Sequence, residues 1–113
     1  MSARQSNGYL LTTDTEVYRC LGAPMVVAAL FVANTETSTT RQVTILHVPA
    51  DETPDDVFSI SHNVNVNAKG SLQIDQPIII HTGEAIYARG SVANKLVVTL
   101  YLVPYSEFFN GRL

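Results

Sequence analysis

Apolar residues in this sequence recur at every second position or in short unbroken runs, and no window sustains the i, i+3, i+4, i+7 spacing of an amphipathic helix. Valine, isoleucine and threonine account for 31 of the 113 residues. Side chains stiff at χ1 favour strands over helices. Glycine and proline fall between the apolar stretches, where turns would place them. Strands are therefore predicted near residues 9–13, 16–21, 25–33, 42–48, 57–66, 72–80, 85–90 and 95–103. Eight short strands separated by turns specify an all-β chain, a single antiparallel β-sandwich of jelly-roll-like character. Residues 1–113 make one domain, with 1–8 read as a flexible lead and 105–113 as an aromatic C-terminal arm.

The strands differ in what they ask of their surroundings. Between 57 and 66, Phe58, Ile60, His62, Val64 and Val66 alternate with Ser59, Ser61, Asn63 and Asn65. That alternation predicts one packed and one solvated face. Residues 25–33 and 96–103 are instead apolar on both faces. In a domain this small a second sheet covers one of those faces. The other must be covered by a loop or by another subunit, so self-association is expected, with a trimer favoured.

Composition removes several functions. Seven Lys+Arg against ten Asp+Glu give a net charge of −3, and the basic residues are scattered singly, so no nucleic-acid partner is expected. The longest apolar run has nine residues, against about 20 for a membrane helix. No membrane association and no standard secretory leader are expected. Cys20 is the only cysteine, so an internal disulfide is excluded and a reducing compartment is consistent.

Candidate sites for chemistry are sparse. Asp51, Glu52, Asp55 and Asp56 offer hard oxygen ligands in a proline-bracketed loop, but not at the spacing of an EF-hand. This loop is read as solvated surface. His47, His62 and His81 lie 15 and 19 residues apart, which is neither strand nor helical ligand spacing; His62 is read as a core or interface side chain. Arg19 beside Cys20 would favour a thiolate, yet no His or glycine-rich elbow accompanies it, and Cys20 reads as a small buried hydrophobe. No Gly-x-Ser-x-Gly or phosphate-binding loop occurs. No enzyme activity, cofactor or metal is expected.

The segment after Pro104 stands out instead. Tyr105, Phe108 and Phe109 place three aromatics in five residues, dense for a terminus. The arm either folds back over its own sandwich or docks on a neighbouring subunit, with those three aromatics as anchors. If extended, adjacent Phe108 and Phe109 would point to opposite sides.

Taken in order, the segments form a pattern. An early strand (16–21) and a buried one ending in Asn34-Thr35 precede Val43-Thr44-Ile45-Leu46. Then follow Ala68-Lys69-Gly70-Ser71, Gln76-Pro77-Ile78-Ile79-Ile80, Gly83-Glu84-Ala85-Ile86-Tyr87-Ala88 and a final strand over 95–101. This order resembles the small β-sandwich structural proteins of tailed-phage virions, with Glu84 standing where Asp is commoner. The resemblance implies a non-enzymatic virion protein assembled in the host cytoplasm, foremost a capsid decoration (cement) protein. Its partners would be copies of itself and the major capsid protein or other virion proteins. A tail, neck or baseplate ring or fibre subunit is the alternative within that class. A carbohydrate- or receptor-binding module is the alternative outside it; it would have to use Tyr9, Tyr18, Tyr87, Tyr101 or Tyr105, since Trp is absent.

Overall fold

The strand pattern is realised as nine strands and one short helix in a computed structural model, which describes the backbone of residues 3–110 and the side chains of residues 8–108. The strands are β1 (Ala3–Tyr9), β2 (Thr15–Arg19), β3 (Met25–Asn34), β4 (Arg41–Val48), β5 (Ser59–Val66), β6 (Ser71–Ile74), β7 (Ile78–Ile80), β8 (Ala85–Gly90) and β9 (Leu96–Pro104). Helix α1 (Tyr105–Asn110) ends the described chain, and a 3-10 turn at Asp56–Phe58 leads into β5. One sheet has the order β1-β9-β3-β6, with β7 also paired to β3; the other has β2-β8-β4-β5. The described pairings are antiparallel. The all-β antiparallel architecture read from the sequence is the one observed.

Between the sheets lies one apolar core. The first sheet contributes Val27, Leu30, Val32, Ile80, Leu96, Val98, Leu100 and Leu102, and the second Val17, Val43, Ile45, Val66, Ile86 and Ala88. Leu10 and Cys20 complete the cluster. Along β9, Leu96, Val98, Leu100 and Leu102 are buried while Val97, Thr99, Tyr101 and Val103 are not, the period of two that a pleated strand imposes.

Several local expectations fail for identifiable reasons. The presumed flexible lead is a strand over Ala3–Tyr9, with Ala3 opposite Leu102 and Ser6 opposite Thr99. Its residues have little intrinsic strand preference, and pairing with β9 supplies what propensity does not. Gly8 at φ +66 takes up the irregularity where the register shifts between Ser6 and Tyr9. The predicted strand over 72–80 is two strands, separated at Asp75-Gln76-Pro77.

In β5 the single alternating face does not survive. Ser61 stands opposite the core residue Ile45, while Val64 stands opposite Val43. His62 and Asn63 together face one residue, Thr44, and Asn63 has φ +49. That bulge inverts the phase of the strand. Ile60 and His62 are consequently exposed, Val66 is buried, and His62 is not the core residue the alternation predicted. Thr44 holds the bulge, since its hydroxyl accepts from the Asn63 amide at 3.0 Å and donates to Asn63 Oδ1 at 3.1 Å.

Candidate functional site

The two outer sheet faces have different fates, and the contrast locates the site. On the second sheet, Thr44, Leu46, Val48 and Ala85 point away from the core, in register with Arg89, Tyr87, Ala85 and Val48 respectively. All four are buried. The 3-10 turn packs against β4, and Asp56 within it bonds Arg89 Nη1 at 2.8 Å. Asp14 meets the same nitrogen at 2.8 Å. The loop on residues 49–58 thus covers this face with the chain's own atoms.

Among the described residues, cover over the five-stranded sheet lies at one end. There Val26, whose register partners are Val103 and Ile79, is fully buried. Helix α1 packs against β9 and β3, anchored where the Tyr105 amide donates to the Pro24 carbonyl at 3.0 Å. Further along, Ala29 lies opposite Tyr101, Phe31 opposite Thr99 and Ala33 opposite Val97. A bulge between Val27 and Ala29 re-phases β3 so that these three face outward while Leu30 and Val32 face the core. Phe31 and Tyr101 meet edge to face, with ring centroids 5.7 Å apart and planes at 86°. That geometry is the favourable one for aromatic pairs. Tyr101 is 37% exposed, Phe31 is half-buried and Ala33 is exposed. The outward positions of β3, β9, β6 and β7 include no Lys, Arg, Asp or Glu. At the rim, Arg4 of β1 lies in register with Tyr101.

Charged side chains gather elsewhere, in local pairs. Arg19 bonds Glu16 Oε1 at 2.8 Å and the Gly83 carbonyl at 2.8 Å. Arg41 and Lys95 both meet Glu36. Glu84 Oε1 lies 3.0 Å from His47 Nε2 and accepts from the His81 amide at 2.9 Å. Burial pushes the Glu84 carboxyl up, but that amide and the two histidines outweigh it and hold it below its ordinary range. A bond from Arg89 likewise holds Asp56 low.

The residues singled out in the sequence are dispersed. Asp55 caps the 3-10 turn, its Oδ1 accepting from the Val57 amide at 2.9 Å, Asp56 is committed to Arg89, and Asp51 occupies a turn at φ +65. Cys20 is wholly buried. Among the described residues, no group of three or more His, Cys, Asp or Glu is placed to hold a metal ion. Tyr105 is 40% exposed and Phe108 half-buried; the side chain of Phe109 lies outside the described residues. The arm is helical over Tyr105–Asn110, so the opposite-sides geometry expected of Phe108 and Phe109 in an extended arm does not apply. What the sequence reading missed is the Phe31–Tyr101 pair. Its signal was present, because both residues lie in the two strands that are apolar on both faces.

Among the described residues, shallow clefts flank the sandwich. One, of about 430 Å³, opens between β5 and the β6–β7 segment and is lined by Ile60, Gln73, Asp75 and Pro77 among others. The other, of about 410 Å³, lies beside the start of α1 against Tyr18, Pro24, Met25 and Tyr105. In the second, burial and the neighbouring Cys20 push the Tyr18 hydroxyl up to about 12.

The fold thus defines a two-sheet antiparallel sandwich with one outer face covered by its own loop and, among the described residues, an uncharged outer face along β3 and β9. No family model matches the chain, and no curated protein matches it in sequence. Among solved structures, it is similar to a chain in the acidic stable capsid structure of Helicobacter pylori bacteriophage KHP30. The similarity has a TM-score of 0.54 at 14% identity and covers 91% of this chain and 88% of that one. At that identity the likeness shows a shared fold. The near-equal coverage also means that the two chains are of about the same length.

Proposed function

We propose that this protein is a non-enzymatic structural subunit of a tailed-phage virion, and within that class a decoration protein that self-associates and stabilises the head. The observation that carries the reading is the end-to-end fold likeness to a chain of a phage capsid structure, over nine-tenths of this chain. A small domain of matching length in a capsid suits a subunit added to a shell. The strand orders β1-β9-β3-β6 and β2-β8-β4-β5, with first and last strands paired, support reading the sandwich as a jelly roll. Such a subunit works by burial. Binding the assembled shell and not its dissociated parts stabilises the shell by mass action. Tyr105 and Phe108 on α1, with Phe109, are assigned to subunit or partner contacts. Purified protein added to heads lacking it should co-sediment with them and raise the temperature at which they release DNA. Protein that stays in the supernatant at micromolar concentration refutes the decoration role.

A further inference from the structure

We infer that the bulge at Asn63 is a guard that keeps β5 from pairing edge to edge with a strand of a second copy. The device is independent of the virion role. Among the described residues, each sheet ends in strands paired on one side: β1 and the β6–β7 segment in the first, β2 and β5 in the second. Such edges present main-chain donors and acceptors that another extended chain can use, and native β proteins interrupt them.

The other edges carry their own interruptions. β1 holds Arg4 and the register shift beside Gly8. β2 holds Glu16 and Arg19 and shifts register between Glu16 and Tyr18. β6 and β7 are four and three residues long, divided by Asp75-Gln76-Pro77. β5 has none of these sequence devices. At eight residues it is the longest of the edge strands, and Ser59–Val66 contains no Lys, Arg, Asp, Glu, Pro or Gly. An uncharged strand of that length is the kind of segment that templates another.

Conformation interrupts it instead. His62 and Asn63 together face Thr44, and Asn63 takes φ +49, a left-handed value that asparagine tolerates better than most residues. The register shifts again at Ile60, which lies between the Ser61–Ile45 and Ser59–Leu46 pairs. Bulges bend and twist their strand, so a flat partner cannot follow it. Thr44 locks the first bulge. It is 1% exposed, in a place where a hydroxyl is costly unless paired. That hydroxyl accepts from the Asn63 amide at 3.0 Å and donates to Asn63 Oδ1 at 3.1 Å. A buried threonine and a left-handed asparagine thus specify one irregularity between them. With β5 guarded, contacts between copies fall to the faces, the loops and α1.

Deleting Asn63 tests the assignment, because it removes the bulge and leaves the flanking pairs, Ile45–Ser61 and Val43–Val64, in register. Asn63→Gly is the control that keeps the bulge, since glycine adopts positive φ freely. Leu30→Ala loosens the core away from this edge and controls for lost stability. Each full-length variant is checked by circular dichroism, then concentrated and followed by thioflavin T fluorescence and amide hydrogen exchange. The deletion should associate, with the amides of residues 61–66 exchanging about tenfold or more slowly than in dilute protein. Wild type, Asn63→Gly and Leu30→Ala should show no slowing there. Adding His62→Lys to the deletion puts a charge on the straightened edge and should abolish the association. If the deletion loses the β spectrum, Thr44→Val, which unlocks the bulge, decides alone: slowing at 61–66 supports the guard and none overturns it. Slowing there in wild type, none in the folded deletion, or association untouched by His62→Lys overturns the inference.

Discussion

Gly83, in the turn between β7 and β8, offers a test in which the magnitude can be divided. It has φ +89, and a Cβ added there would meet the Ala50 Cβ at 3.0 Å. The turn is held from both sides, since the Gly83 amide donates to the Cys20 carbonyl at 2.7 Å and its own carbonyl accepts from Arg19. Gly83→Ala therefore meets two penalties. Placing an L-residue at positive φ costs about 1–2 kcal/mol, and forcing a methyl into a filled space adds about 1–2 kcal/mol, toward the low end of overpacking effects. The expected loss is about 2–4 kcal/mol. Ala50→Gly removes the atom in the way but leaves φ unchanged. In that background Gly83→Ala should cost only about 1–2 kcal/mol, a coupling within the usual range for touching residues. Urea denaturation followed by far-UV circular dichroism measures all four corners of the cycle. Protein concentration must be fixed, because self-association shifts apparent stability. A neutral Gly83→Ala would refute the backbone argument. A full loss unchanged by Ala50→Gly would refute the close approach.

Other outcomes follow from the same contacts. Glu84 has its carboxyl held low, by the His81 amide and the two histidines against the upward push of burial. Its stabilisation is therefore present above the ordinary carboxylate range near 4.5 and is lost as pH falls below it; thermal melts of wild type across acid pH should fall more steeply than those of Glu84→Gln. Thr44→Val leaves the Asn63 amide without its acceptor in the bulge and should cost about 1–3 kcal/mol by chemical denaturation. Leu30→Ala, at a fully buried position of β3, should cost about 2–5 kcal/mol in the same assay. Deleting residues 106–113 uncovers the Val26–Val103–Ile79 row and should weaken self-association while preserving the β spectrum. Association unchanged by the deletion would confine the arm to its own domain.

Periodicity carried the fold class, because alternation and the absence of helical spacing are local properties. It failed where one residue changes phase: the bulge at Asn63 turned Ile60 and His62 outward, and no feature of Ser-Ile-Ser-His-Asn-Val announces it. β1 was invisible for another reason. Ala-Arg-Gln-Ser-Asn-Gly-Tyr becomes a strand only by pairing with β9, a partner some ninety residues away. The site was half legible. That β3 and β9 are apolar on both sides could be read directly, and it entails a need for extra cover. Which cover arrives is a tertiary fact: the loop that carries Asp55 and Asp56 packs over the other sheet, and α1 packs against one end of β3 and β9. The Phe31–Tyr101 pair lay within strands already identified, whereas the terminal aromatics stood out by their density.

Electron cryomicroscopy of the particle into which this chain assembles tests the central claim most directly. The account predicts density for the nine-strand sandwich on the outer surface of the head. A particle whose every density is assigned without this domain, or one that carries it only in the tail, would contradict the decoration role.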